Sequence, residues 1–439
     1  MQSLRTGNFI KWFYLGMHIK RWLALTLVGV AIMGLGFGYV LREVYVQYTF
    51  PSEVYYLTLQ FLPRFVRAAL FITVAMSIIL FSVWKLNTSL VDAFRTTEND
   101  SVLDAIYRYR YQARGPKIVA IGGGTGLPVL LRGLKQHTSN LTAIVTVGDD
   151  GGSSGRLRQE LGVLPPGDLR NCIAALAEAE PLMTSLFQYR FNEGSGLEGH
   201  SFGNLFIVAM SGVTGNFEEA VRETSRVLAV RGQILPSTLH HVTVHARTAD
   251  GEMISGEHNI TEHGSRIAEI FLQPSTIEIN PEASRAILEA DLIVVGPGSL
   301  LTSVLPNLLV NGVRQRLAVS RATKVYVCNV ATQHGETDDF SVSDHFQTLV
   351  QHVGPGLFDY VLANDNVAGP LPDAWHSQPV AIDKQTIDGA RVITADVISE
   401  KNRYHHDPEK LASAIMRLYA ARNQWEPRPA PLAAAAETR

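Results

Sequence analysis

Apolar residues fall along this chain in two different rhythms. Near the amino terminus they come in long unbroken runs. Trp22–Leu41 is almost wholly apolar and carries no charge, and Ala68–Trp84 is a second such run, with Arg64 and Arg67 before it and Lys85 after it. Crossing about 30 Å of hydrocarbon takes about 20 apolar residues. Glycines such as Gly29, Gly34, Gly36 and Gly38 are common in membrane helices. Trp22, Tyr45, Tyr48, Tyr55, Tyr56 and Trp84 lie near the run ends, where an aromatic belt would place them. The pattern predicts two transmembrane helices.

From residue 116 onward the runs shorten and become β-branched. Ile118–Ile121, Ala143–Val147, Leu292–Val295, Lys324–Val327 and Tyr360–Leu362 read as strands, with helix-like segments between them. Alternation of this kind predicts an α/β fold, a doubly wound, mainly parallel, Rossmann-like sheet with helices on both faces. The polar stretch Ser89–Arg114 reads as a connector, and Glu426–Arg439, which mixes Pro with an Ala run, reads as a disordered tail. The expected organisation is a membrane region over 1–88, a connector over 89–115, a ligand-binding body over 116–425 and a tail over 426–439.

Composition narrows the class. The chain has 439 residues, 46% of them hydrophobic, and a net charge of −3, which argues against a nucleic-acid partner. Its two cysteines, Cys172 and Cys328, form no CxxC pair, so neither a disulfide framework nor a zinc site is expected. That cysteine usage fits a reducing compartment. Arg5, Lys11, Lys20 and Arg21 precede the first run, against Arg42, Arg64 and Arg67 between the runs. The small excess favours a cytoplasmic amino terminus. The expected location is the inner membrane, multi-pass, with the body in the cytoplasm.

In parallel sheets ligands bind beyond the carboxyl ends of the strands, and here those ends are polar and glycine-rich. KIVAIGGGTG, Lys117–Gly126, drops from a strand into Gly122, Gly123, Gly124, Thr125 and Gly126, and a helical pattern follows over Leu127–Leu134. Strand, glycine turn and helix make a phosphate site, because N–H groups can approach an anion at a helix amino terminus. The segment is neither GxGxxG nor a P-loop, and a plain tight turn would look the same. Gly296–Ser303 repeats the arrangement, with Gly298, Ser299 and Thr302 as candidates.

Asp149 and Asp150 follow the second strand. They could hold a divalent cation such as Mg²⁺ or accept bonds from ribose hydroxyls. Ser153, Ser154 and Arg156 could close over a phosphate. In Pro165–Asn171, Asp168 is placed either to cap a helix or to bind a ligand, and Arg170 and Asn171 could face a ligand. Gly199–Asn204 sets His200 and Asn204 in a glycine-flanked turn, where His200 could bind a ligand or transfer a proton. Asn329 and Asn364 end two later strands, and an amide can read a base or sugar edge. No nucleophile elbow and no HExxH occurs, and no catalytic residue is assigned.

IGGGTG, TVGDDGGSSGRLR, PPGDLRN, GHSFGN, VGPGSLLTSVLPNLL and NVATQHGETDDF, read in order, resemble the signature segments of the YvcK/CofD-like family, over roughly Pro116 to Met416. The closer resemblance is to the YvcK branch, known as gluconeogenesis factors. That resemblance implies a protein that binds UDP-N-acetylglucosamine or a similar UDP-sugar and supports cell-wall synthesis and cell shape in gluconeogenic growth. It places Gly123–Gly126, Asp149, Asp150, Ser153, Ser154, Gly298, Ser299, Thr302, Asn329 and Asn364 in the nucleotide site. Expected partners are the UDP-sugar, the membrane, cell-wall synthesis proteins and further copies of the chain in a homo-oligomer. The CofD branch implies instead a metal-dependent transferase acting on a nucleotide diphosphate-linked substrate.

Overall fold

The computed structural model describes residues 19–48, 56, 59, 61–93, 112–178, 181–194, 196–367 and 376–423. The chain divides into two compact units, Met1–Arg108 and Tyr109–Arg439. Most of the expected connector and all of the expected tail lie outside the described residues.

Two long helices occupy the first unit, α1 (Ile19–Gln47) and α2 (Arg64–Ala93). They coincide with the two apolar runs. The expectation of two membrane crossings is not met by them as described. Among the described residues no helix is long and apolar enough to cross a membrane. Several side chains inside both helices, those of Trp22 and Trp84 included, are outside the description. The side chains that are described stand open, with Met33 69% and Phe65 91% exposed.

Among the described residues the second unit holds eleven strands: β1 (Ile118–Gly122), β2 (Leu141–Val145), β3 (Gln233–Pro236), β4 (Thr243–Thr248), β5 (Met253–Ser255), β6 (Ile267–Gln273), β7 (Leu292–Val295), β8 (Thr323–Val327), β9 (Tyr360–Asn364), β10 (Thr386–Ile387) and β11 (Ala390–Ala395). The helices that matter below are α3 (Gly126–Leu134), α4 (Gly152–Leu161), α5 (Gly167–Leu176), α6 (Phe202–Thr214), α7 (Glu257–His263), α8 (Val342–Val353) and α9 (Pro408–Asn423).

Eight strands form one sheet in the order β10-β11-β9-β8-β7-β1-β2-β3. All neighbours pair in parallel except β10 with β11. The strand runs are continuously apolar because both faces are covered. Val119 and Ile121 enter the core on one face, with Leu305 and Phe346. Ile118 and Ala120 enter the core on the other, with Leu130 of α3, Ile173 of α5 and Ile415 of α9. Cys172 and Cys328 are free and buried, as small apolar residues would be.

The order reverses beside β1. The chain runs outward through β2 and β3, then returns to place β7 on the other side of β1. A crevice opens beyond the carboxyl ends of strands at such a switch point. Here it lies between the turns that follow β1 and β7. A second, antiparallel sheet in the order β5-β4-β6 is inserted before β7. Its strands alternate buried and exposed positions in β4, and α7 lies between β5 and β6.

Candidate functional site

The two glycine turns are built against each other. A Cβ on Gly126 would stand 2.4 Å from the Pro297 carbonyl oxygen, and one on Gly298 would stand 3.3 Å from the Gly123 carbonyl oxygen. A Cβ on Gly123 would meet Thr146 Cγ2 at 2.4 Å and Asp168 Oδ2 at 2.6 Å. Close approach of backbone at Gly126 and Gly298, and of the Thr146 and Asp168 side chains at Gly123, favours glycine at these positions. Gly124 is required for a different reason, a left-handed φ of +58°.

Each turn already holds a carboxylate from within the chain. The Gly124 N–H donates to Asp168 Oδ2 at 2.7 Å. Asp168 thus departs from its expected capping role. The helix in question, α5, starts one residue before it, with Pro166 as N-cap and no side-chain cap. Fixed φ at the Pro165–Pro166 pair sets that start, which turns Asp168 back toward the first glycine turn.

At the second turn Ser299 is the N-cap and accepts from the Thr302 N–H at 3.1 Å. Its hydroxyl donates to Glu336, and Thr302 Oγ1, Thr261 Oγ1 and Gln333 Nε2 donate to the same carboxylate at 3.3, 3.3 and 3.1 Å. The segment after this turn begins as a π-helical turn, Leu300–Val304, where an ordinary helix was expected. Such turns widen the backbone locally and recur at functional sites.

Asp149 and Asp150 serve different partners and do not form a shared clamp. Asp149 Oδ1 accepts from the Gly151 N–H at 3.0 Å. Asp150 Oδ1 accepts from the His258 N–H at 3.0 Å, tying the loop to α7. The acids nearest the crevice are Asp149, Asp168, Glu257 and Glu336. Burial first, then Asp149, pushes Asp168 up to about 7 against the pull of the Gly124 N–H and Arg170. Burial first, then Asp149, Asp168, Asp150 and Glu336, pushes Glu257 up to about 8. Burial also raises Asp149 and Glu336.

Ser153, His200 and Asn204 form a buried polar knot. Ser153 Oγ lies 2.9 Å from His200 Nδ1 and accepts from Asn204 Nδ2 at 3.0 Å. Burial lowers the His200 pKa, so its ring is neutral at pH 7. Ser154 Oγ accepts from the Gly167 N–H at 3.1 Å, and Asn171 Oδ1 accepts from Arg170 at 2.8 Å. Asn364 is saturated: Oδ1 takes the Val397 N–H at 3.2 Å and Nδ2 reaches the Asn366 carbonyl at 2.9 Å. It locks β9 to the segment after β11 and offers no free polar atom.

The residues that do share one cleft are Thr125, Gly126, Gly298, Ser299 and Asn329. Sequence reasoning missed His406, which lines this cleft, and Glu336 and Glu257, which lie outside its lining. Glu336 sits inside the TQHGET segment, yet its burial under Ser299 gave no sequence signal. Glu257 arrives from the inserted sheet, more than a hundred residues from Asp149. His406 comes from the turn before α9. Among the described residues no group of three or more His, Cys, Asp or Glu is arranged to hold a metal ion.

The family described as 2-phospho-L-lactate transferase CofD matches residues 118–398. A putative gluconeogenesis factor from Nostoc is 44% identical over 428 residues, 95% of this chain and 94% of that protein. The gluconeogenesis factor of Bacillus subtilis is 48% identical over 310 residues, which are 69% of this chain and 98% of that protein. A crystal structure of a Bacillus halodurans protein superposes with a TM-score of 0.66 at 44% identity, over 69% of this chain and 100% of the other. The body thus has relatives that consist of little else, and the Nostoc relative extends over the amino-terminal helices as well. This chain belongs to the CofD/YvcK family, on the branch whose members are named gluconeogenesis factors.

Proposed function

We propose that the chain binds a UDP-sugar of the UDP-N-acetylglucosamine type in the crevice between its two glycine turns, and so supports cell-wall synthesis and cell shape in gluconeogenic growth. The observation that carries this reading is the cleft at the switch point. It joins the amino terminus of α3, which has no side-chain cap, to the turn after β7. A diphosphate at that helix end and hydroxyls near Asp149 would use both halves of the site. The apolar runs Trp22–Leu41 and Ala68–Trp84 would attach the chain to the inner membrane with the body in the cytoplasm. The exposed apolar side chains of α1 and α2 support attachment. Resistance to a high-salt or carbonate wash tests it, since apolar burial is insensitive to salt.

The test of binding is calorimetric titration of the full chain with UDP-N-acetylglucosamine, UDP-glucose, GDP and a dinucleotide. Saturable binding of the UDP-sugars alone supports the reading, and binding of the dinucleotide alone overturns it.

One observation favours a second reading, a CofD-like transferase. Asp149, Asp168 and Glu257 crowd one wall, and Mg²⁺ would relieve their repulsion. The described residues do not fit a preformed metal site, as the separate partners of Asp149 and Asp150 indicate. Turnover of a nucleotide diphosphate ester that depends on Mg²⁺ and stops with EDTA would decide for the transferase.

A further inference from the structure

The cleft at the switch point differs in charge from the rest of the site. It has a volume of about 70 Å³, and no Lys, Arg, Asp or Glu lines it. Its far side is the turn Tyr404–His406, which lies beyond the stretch matched to the CofD family.

Two of its polar side chains are each held by one end and free at the other. Asn329 Oδ1 accepts from the Gly298 N–H at 3.3 Å, which fixes the amide. Its Nδ2 makes no hydrogen bond among the described residues. His406 Nε2 lies 3.2 Å from the Cys328 carbonyl oxygen. A carbonyl only accepts, so Nε2 carries the proton. Burial pushes His406 down to about 4, which keeps the ring neutral and leaves Nδ1 as a bare acceptor. That Nδ1 also has no partner among the described residues. Residues 328 and 329 are adjacent, so one short segment positions both side chains. Val129 and Val330 add apolar wall to the cleft.

We propose that Asn329 and His406 together read an amide edge of the ligand, a carbonyl beside an N–H, with Asn329 Nδ2 donating to the carbonyl and His406 Nδ1 accepting from the N–H. The inference rests on the reading of this crevice as a nucleotide-sugar site. A neutral cleft suits a neutral group, and leaving the buried His406 unpaired at Nδ1 is costly. In a UDP-N-acetylglucosamine-type ligand the uracil ring carries that edge, its carbonyl and N–H held side by side in the ring, whereas the trans acetamido group points them in opposite directions. Cytosine presents the opposite order, an amino donor beside a ring acceptor. Glucose has no amide at all.

The test is calorimetric titration of the full chain with UDP, CDP, GDP, UDP-glucose and UDP-N-acetylglucosamine, on the native protein and on Asn329→Asp. That variant keeps the acceptor for the Gly298 N–H, removes the donor and adds a negative charge, so the affinity ratios between ligands are the readout. His406→Phe keeps a ring and removes the acceptor, and thermal unfolding reports whether each variant folds. If the base is read, UDP binds at least tenfold tighter than CDP, and Asn329→Asp cuts that ratio at least tenfold. A preference of UDP over CDP that Asn329→Asp removes supports the inference. A preference for UDP-N-acetylglucosamine over UDP-glucose with none for UDP over CDP overturns it. Absence of both preferences, or a folded Asn329→Asp chain with all affinities unchanged, overturns it. GDP binding with a preference over CDP, and no binding of any UDP compound, overturns the UDP-sugar proposal and leaves the amide reader standing. A folded chain that binds none of the probes overturns both.

Discussion

The turns after β1 and after β7 have the same design and hold their buried carboxylates in different ways. Both drop from an apolar strand through glycines into a helical segment, and both carry an internal carboxylate. Glu336, at the second turn, accepts from Ser299, Thr302, Thr261 and Gln333. Asp168, at the first, accepts from the Gly124 N–H and faces Asp149. A carboxylate with several donors is part of the scaffold, whereas one crowded by other acids is held at a cost. The second turn is therefore a finished joint, and the first is a strained wall that a proton, a cation or a ligand donor would relax.

Replacing the shared backbone contact breaks both turns at once, so the largest effect is expected there. Gly126→Val would drive side-chain atoms into the Pro297 carbonyl, a backbone group that cannot yield. We expect a loss of about 3 kcal/mol or more, read as a collapse of the thermal unfolding midpoint.

Next in size is Glu336→Ala, which strands the hydroxyl and amide donors of the second turn without an acceptor. The expected cost is about 3 kcal/mol in urea unfolding. Glu336→Gln should recover part of it, since its amide oxygen still accepts. If the alanine variant is as stable as the native chain, the second turn is no more finished than the first.

The first turn should show itself through pH. Asp168 and Glu257 are raised to about 7 and about 8, above their unfolded values. Folding therefore takes up protons between about pH 4 and pH 8. Each proton taken up changes stability by at most about 1.4 kcal/mol for every tenfold change in proton concentration. The stabilising protonation is complete below about pH 4 and is lost as pH rises through 7 to 8. Unfolding midpoints without added ligand should fall from pH 5 to pH 8.5. Asp168→Asn, which still accepts the Gly124 N–H, should flatten that slope and raise stability at pH 8.5. A native profile that is flat across this range would erase the distinction between the turns.

The smallest effect is expected for Gly124→Ala. Its Cβ would lie 3.0 Å from Ser303 Oγ at a φ of +58°. About 1 kcal/mol of destabilisation follows from the left-handed backbone. Calorimetry on this folded variant would show whether the first turn still admits a phosphate.

Much of the body was legible because periodicity survives burial on both faces of a parallel sheet. Leu292–Val295 is a strand as read, and the ends of Ile118–Gly122 and Thr323–Val327 differ from the reading by one residue. The polar turns at the strand ends were legible for the same reason, since only glycine, small hydroxyl residues and Asn fit there. What each polar atom touches was not. Asn329 and Asn364 look alike in the sequence, but one opens on the cleft and the other has both its polar ends bonded within the fold. Asp149 and Asp150 are neighbours that point to different elements. The small sheet β5-β4-β6 was missed although Asp250-Gly251 between β4 and β5 is a hairpin turn signal.

The sequence by itself determined the strand–turn–helix alternation, the family, and the need for glycine beside two strands, because these follow from local apolar period and backbone freedom. It also determined the two apolar runs of the amino terminus. Tertiary structure alone decided that the two turns meet across a switch point, and that Glu336 and Asp168 fill them. It alone brought Glu257 and His406 to the crevice. Those facts depend on strand order and on contacts between residues far apart in the chain. No local pattern encodes them, since which acid lies beside which N–H is set only when the sheet closes.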